Sequence, residues 1–368
     1  MMKALEKAFK AKHLAVLAIS VLMVAALLGL AGCGSSDNSS SNSSSSNADD
    51  KYANLEATTL IMADNTGKGA AGNLWGEEIS KRASEITGGK LTLDYHPNSE
   101  LGGDSDLLRQ EQANDIQIVI AQPAPIVSFV PNLAVFDAPM AFATYNGDQI
   151  EAVLNGDNEF TKQLNSSFEE AGLVSLGWLQ NGTYRQTTAN RDLSTLDDFK
   201  GFQIRTMENT NHMAFWRALG AEPTPLAWSE TYFALQNGTL EGQENAVDTC
   251  VGSSLQEVQK YLAKTNHILY TNNISINKDC WNNLDPAYQD ALKQAIQEAT
   301  DTIRPQITDL EASNTKVMTD AGVQVIEYDE NFFDTVKNLP DVQKLYSDID
   351  SQTNGLSSTM LKVLEEQK

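Results

Sequence analysis

Short apolar runs bounded by turn residues alternate with stretches of helical periodicity along most of this chain. The runs at 59–63, 91–95, 116–121, 173–179, 202–207, 268–276 and 323–328 are rich in branched and aromatic side chains and predict strands. Between the first two, apolar residues over 74–86 repeat at helical spacing, and Gly88-Gly89 follows as a stop signal. Strand, helix and strand at this interval make a βαβ unit, so the fold class is α/β with a largely parallel sheet. One predicted helix is longer than the rest. From Ala291 the residues Leu292, Ala295, Ile296, Ala299, Ile303, Ile307 and Leu310 recur three or four apart, and the pattern runs on toward Met318. Pro305 falls in its middle, where the missing N–H removes a helical hydrogen bond and bends the axis. A helix of that length outruns a single small lobe and predicts a kinked spine passing from one lobe to another.

The first residues follow a different pattern. Lys3, Lys7, Lys10 and Lys12 precede an uncharged apolar run over 14–30, and Leu30-Ala31-Gly32-Cys33 closes it. Basic, apolar and small residues in that order predict a secretory signal peptide over 1–32. The small residues directly before Cys33 resemble the bacterial lipobox, in which the chain is cut before the cysteine and its thiol carries diacylglycerol. An uncleaved transmembrane anchor is the alternative. Either outcome places the remainder outside the cytoplasmic membrane. After Cys33 comes a Ser/Asn-rich stretch with nothing apolar to bury, so 33–53 reads as a lipidated cysteine and a solvated tether.

The remaining chain is longer than one hydrophobic core usually serves, which predicts two lobes. The 368-residue sequence carries a net charge of −23. That balance argues against a nucleic-acid partner held through a basic surface, and leaves lipid chains as the membrane contact. Cys250 and Cys280 are the cysteines beyond Cys33. An exported compartment permits a disulfide between them; isolated core thiols are the other reading. Of the four histidines (His13, His96, His212, His267) none is spaced as a metal pair, and no nucleophile elbow, P-loop or EF-hand loop is present. No metal, no cofactor and no enzymatic activity are therefore expected. Gly67-Lys68-Gly69-Ala70-Ala71-Gly72 does match a dinucleotide-binding fingerprint, with Asp94 ending the next strand. Yet Asp64, Asn65 and Thr66 lengthen the turn before the first glycine, and an exported protein meets no soluble dinucleotide pool. The stretch instead predicts a flexible loop whose helix N-terminus is placed to face a ligand.

Arg205 lies inside the apolar segment Phe202-Gln-Ile-Arg-Thr-Met207. A buried guanidinium without a partner costs several kcal/mol, so it requires either an internal Asp or Glu or a ligand carboxylate held by its planar fork. Around it stand RQTTANR, K-G-x-x-I-R, A-L-G-A-x-P-T-P, S-E-x-Y-x-A-L-Q and the G-Q-E-N of 242–245, with N-S-E-L-G-G-D at 98–104 and V-P-N-L-A-V-F-D-A-P at 130–139. Together these motifs resemble the solute-binding subunits of tripartite ATP-independent periplasmic (TRAP) transporters, the DctP type, over about residues 60–299. The resemblance implies a two-lobed periplasmic-binding-protein-like fold with a long hinge-spanning helix. It places lobe I at 54–182 with parts of 271–310 and 339–368, and lobe II at 183–270 with part of 311–338. It also implies that Arg205 pairs with a ligand carboxylate, assisted by Arg185 and Asn245, in a monomer that serves TRAP permease subunits in the membrane.

Similar sialic-acid binders carry Asn where this chain has Glu208, an acidic residue near the position of Gln122, and Phe near that of Trp228. Glu208 accepts hydrogen bonds from hydroxyls and repels a second carboxylate, and Trp228 offers a flat face to a sugar ring. The expected ligand is accordingly a monocarboxylic sugar acid, a hexuronate first, with Gln122 and Asn65 as further contacts. A dicarboxylate, sialic acid or keto acid, and a receptor role beside a sensor kinase, are the alternatives.

Overall fold

The computed structural model describes residues 51–368. The signal peptide 1–32, the lipidation site Cys33 and most of the tether 33–53 lie outside the described residues. No helix among the described residues is long and apolar enough to cross a membrane.

Among the described residues eleven strands form two sheets. In chain order they are β1 (Thr58–Ala63), β2 (Leu91–His96), β3 (Ile118–Ala121), β4 (Leu173–Leu179), β5 (Gln186–Ala189), β6 (Gln203–Thr206), β7 (Glu222–Pro225), β8 (Gly242–Asn245), β9 (Tyr261–Ala263), β10 (Asn272–Asn277) and β11 (Gln324–Ile326). The first sheet has the order β2-β1-β3-β10-β4 and the second β11-β9-β5-β8-β6-β7. Each sheet with its helices makes one lobe. The sheets are more mixed than the βαβ pattern predicts. β1 runs parallel to β2 and β3, but β10 returns from the second lobe and is antiparallel to both β3 and β4.

In the first lobe both faces of the sheet are covered, and strand alternation divides the residues between two cores. Leu60, Met62, Ile118, Ile120, Ile274 and Ile276 face one core with the helices Ala71–Ile86 and Pro286–Ile303. Ala63, Val119 and Ala121 face the other, with the helix Glu159–Glu170 and the C-terminal helix Leu356–Glu365. The preceding helix Pro340–Gln352 sends Val342, Leu345 and Ile349 into the second lobe's core instead, so the segment 339–368 is divided between the lobes.

Besides the step from Pro340–Gln352 to Leu356–Glu365, three connections carry the described chain from one sheet to the other. The segments at 183–185 and 268–270 pass side by side, Arg185 N donating to Ile268 O at 2.8 Å and Tyr270 N to Thr183 O at 2.9 Å. The third is the predicted spine, which is two helices rather than one. Pro286–Ile303 packs in the first lobe and Ile307–Asp320 reaches the second, with a 3-10 turn Arg304–Gln306 between them. Pro305 sits in that turn, and its missing N–H is the physical cause of the break. Cys250 and Cys280 are both free thiols, the first buried in the second lobe and the second packed against a first-lobe core.

One buried acid sets an expectation for stability. Glu111, on the helix Asp104–Gln112, accepts a hydrogen bond from Ser275 Oγ at 2.8 Å, while its Oε2 is buried with no partner among the described residues. Burial pushes its carboxyl up to about 8. A raised folded-state value means stability is full at low pH and is lost as pH climbs from the ordinary glutamate range toward 8. Glu111→Gln is therefore expected to stabilise the protein by roughly 3 kcal/mol at pH 7 but by only about 1 kcal/mol at pH 5. Denaturant unfolding at the two pH values checks this, and an equal gain at both would remove the electrostatic explanation.

Candidate functional site

The cleft between the lobes has a volume of about 220 Å³ and is lined by residues of both, including Asn65, Asp104, Arg205, Glu208 and Trp228. Arg205 enters it from β6, an inner strand between β8 and β7, where both backbone neighbours are buried. Arg205 as a residue is only 2% exposed. Its Nε donates to Leu226 O at 2.8 Å, and its Nη1 is buried with no hydrogen-bond partner among the described residues. No described carboxylate forms an ion pair with it within 4.0 Å. Trp228 opens the helix Trp228–Gln236 and lays its ring 5.3 Å from the Arg205 guanidinium carbon. Desolvation lowers the Arg205 pKa to about 10, with Glu244, Asp104 and Glu208 opposing that shift from a distance. The group stays cationic at neutral pH.

Arg185 takes the internal carboxylate that Arg205 lacks. Its Nε lies 2.6 Å from Glu244 Oε2, and its Nη2 donates to Glu244 Oε1 at 2.9 Å and Glu244 O at 2.7 Å. Nη1 donates to Asn245 Oδ1 at 3.0 Å and to Gln122 Oε1. Arg185, Asn245 and Gln122, expected as ligand contacts, are thus brought together with one another behind the cleft, and none is among its lining residues. Glu244 also receives His267 Nε2 at 2.9 Å. Burial opposes its charge, but Arg185 and the two histidines His212 and His267 outweigh that and hold the carboxyl well below the usual range.

On the facing wall Asn65 Nδ2 donates to Asp104 Oδ2 at 2.5 Å, which turns Asp104 toward the cleft. Burial pushes the Asp104 carboxyl up to about 6, with Arg205 opposing. Ser105 Oγ donates across the cleft to Glu208 Oε2 at 3.3 Å, one lobe reaching the other. Arg109 stands at the rim beside Asp106, 3.3 Å away. Asp104 and Glu244 were not singled out from the sequence, although both lie inside the motifs at 98–104 and 242–245. A motif marks the segment, and only geometry shows which member faces the cleft and which faces Arg185.

The glycine-rich loop at 67–72 serves the lobe interface. Ala71 N, at the start of the helix Ala71–Ile86, donates to Asp248 Oδ2 of the second lobe at 2.8 Å. A side chain at Gly67 would come within 3.1 Å of Gly252 O. A protein carboxylate therefore occupies the helix N-terminus expected to face a ligand, and the glycines permit close approach of the second lobe.

Comparison with known proteins adds to this geometry. Residues 64–348 match the family model of the bacterial extracellular solute-binding proteins, family 7 (DctP). The C4-dicarboxylate-binding periplasmic protein DctP of Rhodobacter capsulatus is 31% identical over 267 residues, 71% of this chain and 76% of that protein. The crystal structure of the sugar acid binding protein DctPAm from Advenella mimigardefordensis, in complex with galactonate, superposes with a TM-score of 0.79 at 23% identity, covering 85% of this chain and 99% of that one. A TRAP periplasmic solute-binding protein from Polaromonas, bound to D-erythronate, gives a TM-score of 0.75 at 26% identity over 83% of this chain and 98% of that one.

Proposed function

Because the chain belongs to the family 7 bacterial extracellular solute-binding proteins, we propose that its cleft captures a sugar acid with a single carboxylate, a hexuronate first, for delivery to a TRAP membrane permease. Family membership makes it an extracytoplasmic binding protein and not an enzyme. In this reading Cys33 carries the lipid that tethers it to the cell.

The observation that carries the ligand reading is Arg205, a desolvated guanidinium with an unpartnered Nη1 beside the cleft. A carboxylate set against its planar fork restores the lost solvation with charge-assisted hydrogen bonds. Asp104 and Glu208 on the lining accept hydrogen bonds from hydroxyls and repel a second carboxylate. Trp228, already stacked on Arg205, continues as an apolar face for a ring. Closure of the lobes then excludes water and strengthens each polar contact. Arg185, Asn245 and Gln122 support this wall from behind. The D-erythronate-bound relative, whose ligand has one carboxylate and several hydroxyls, agrees with the reading. A dicarboxylate is the second reading, favoured by Arg109 at the rim and by the name of the 31%-identical relative.

A thermal-shift screen with D-glucuronate, D-galacturonate, galactonate, sialic acid, keto acids and succinate tests it. A ligand at 100 times its dissociation constant adds roughly 2.7 kcal/mol, a rise of several degrees. Rises with the sugar acids and none with succinate are the expected result. A rise with succinate alone would overturn the sugar-acid assignment and leave the binding role intact.

A further inference from the structure

The lobes also meet behind the cleft, at Asp137. This residue ends the 3-10 turn Pro131–Asp137, whose Leu133, Val135 and Phe136 are anchored in a first-lobe core. The next residues, Ala138 and Met140, already belong to the second lobe's core, and Met140 N donates to His267 O at 2.8 Å. Asp137 is 1% exposed and does not line the cleft. Its carboxylate nevertheless engages three side chains, all from one short segment of the second lobe. Asn209 Nδ2 donates at 2.9 Å and Asn211 Nδ2 at 3.0 Å, both to Oδ2, while His212 Nε2 lies 3.1 Å from Oδ1. Burial works against a charge on His212, but Asp137 and Glu244 push its pKa up to about 9, which makes the ring a cationic donor at neutral pH.

Asn209 joins this constellation to the ligand-facing turn. Its Oδ1 accepts the amides of Asn211 and His212 and so caps the helix Thr210–Ala218. Its Nδ2 also donates to Ala124 O of the first lobe at 3.1 Å. Directly before it stand Met207 and Glu208, both on the cleft lining. Glu208 itself is exposed, and its hydrogen bond is the long one from Ser105. Where Glu208 points is therefore governed by what holds Asn209. A buried carboxylate must keep its donors, because each one lost leaves charge without compensation. That demand makes Asp137 a rigid anchor for the turn.

We propose that Asp137 is a positioning residue for ligand recognition, holding the turn at 207–212 so that Glu208 is presented to the solute without Asp137 touching it. The inference rests on the reading of Glu208 as a ligand contact. Two measurements on the full chain test it, using Asp137→Asn, which keeps the side chain's shape and removes its charge. Hydrogen exchange needs no ligand. The segment 207–213 is expected to exchange roughly tenfold faster in the variant while the helix Ala71–Ile86 is unchanged. Unaltered exchange at 207–213, or acceleration spread evenly over the chain, overturns the proposal. The second measurement is a double-mutant cycle with D-glucuronate as probe. Asp137→Asn is expected to weaken binding roughly tenfold in the parent chain and less than about threefold in Glu208→Gln, because its effect passes through Glu208. Equal losses in both backgrounds overturn it. Failure of the parent chain to bind D-glucuronate counts against the ligand assignment alone, and the exchange measurement then decides the role of Asp137.

Discussion

Replacing Arg205 by methionine is expected to weaken sugar-acid binding by at least about 100-fold and, in the same protein, to raise the melting temperature of the ligand-free state. Both effects have one origin. Arg205 is buried, held by a single backbone carbonyl and the Trp228 ring, and has no carboxylate within ion-pairing distance among the described residues. Desolvation that the protein leaves uncompensated is a standing cost to stability, and a ligand carboxylate removes it. Methionine fills much of the same volume, keeps an apolar contact with Trp228 and carries no charge. Titration calorimetry with the acid returned by the screen, beside thermal unfolding without it, reads both quantities. Affinity retained within threefold would show that the carboxylate is held elsewhere. Lost affinity with a lowered melting temperature would show that the guanidinium is already compensated inside the protein.

Removal of Glu244 has the opposite signature. Glu244→Ala takes away the carboxylate that engages Arg185 at 2.6 Å and His267 at 2.9 Å, all three groups being fully buried. Breaking one member of such a cluster leaves the others charged or misprotonated, at a cost of about 3–5 kcal/mol. The sign with pH follows from the depressed Glu244 value. A lowered folded-state value gives stability that is present above the ordinary glutamate range and lost as pH falls through the lower one. The gap between parent and variant is thus full from about pH 5 to 8 and narrows below pH 4. Denaturant unfolding across that range measures it. A gap independent of pH would mean that Glu244 contributes by packing alone.

Local patterns in the sequence determined much of this protein. Apolar runs located β1, β2, β4 and β6 to within a residue or two, and helical spacing located the spine. These features depend on the period of side-chain burial, which short stretches of sequence record directly. Of the four strands that sequence missed, β9 is a Tyr-Leu-Ala run of three residues, too short to show a period, and the other three are not buried apolar runs. β5 is Gln-Thr-Thr-Ala and β8 is Gly-Gln-Glu-Asn, both wholly buried yet polar, and β7 is an edge strand with two prolines. The partner of each arginine was beyond the reach of sequence. An arginine inside an apolar strand demands a partner in any fold, which marked Arg205 in the sequence, whereas Arg185 was marked by the family resemblance alone. Which of them takes the internal carboxylate depends on strand register. Glu244 stands opposite Thr187, two residues from Arg185 and on the same face of the sheet, whereas Arg205 stands beside Gln243. Alternation along β8 turns Gln243 to the face opposite Glu244. Glu244 is thereby committed to Arg185, and the Arg205 guanidinium is left for the cleft.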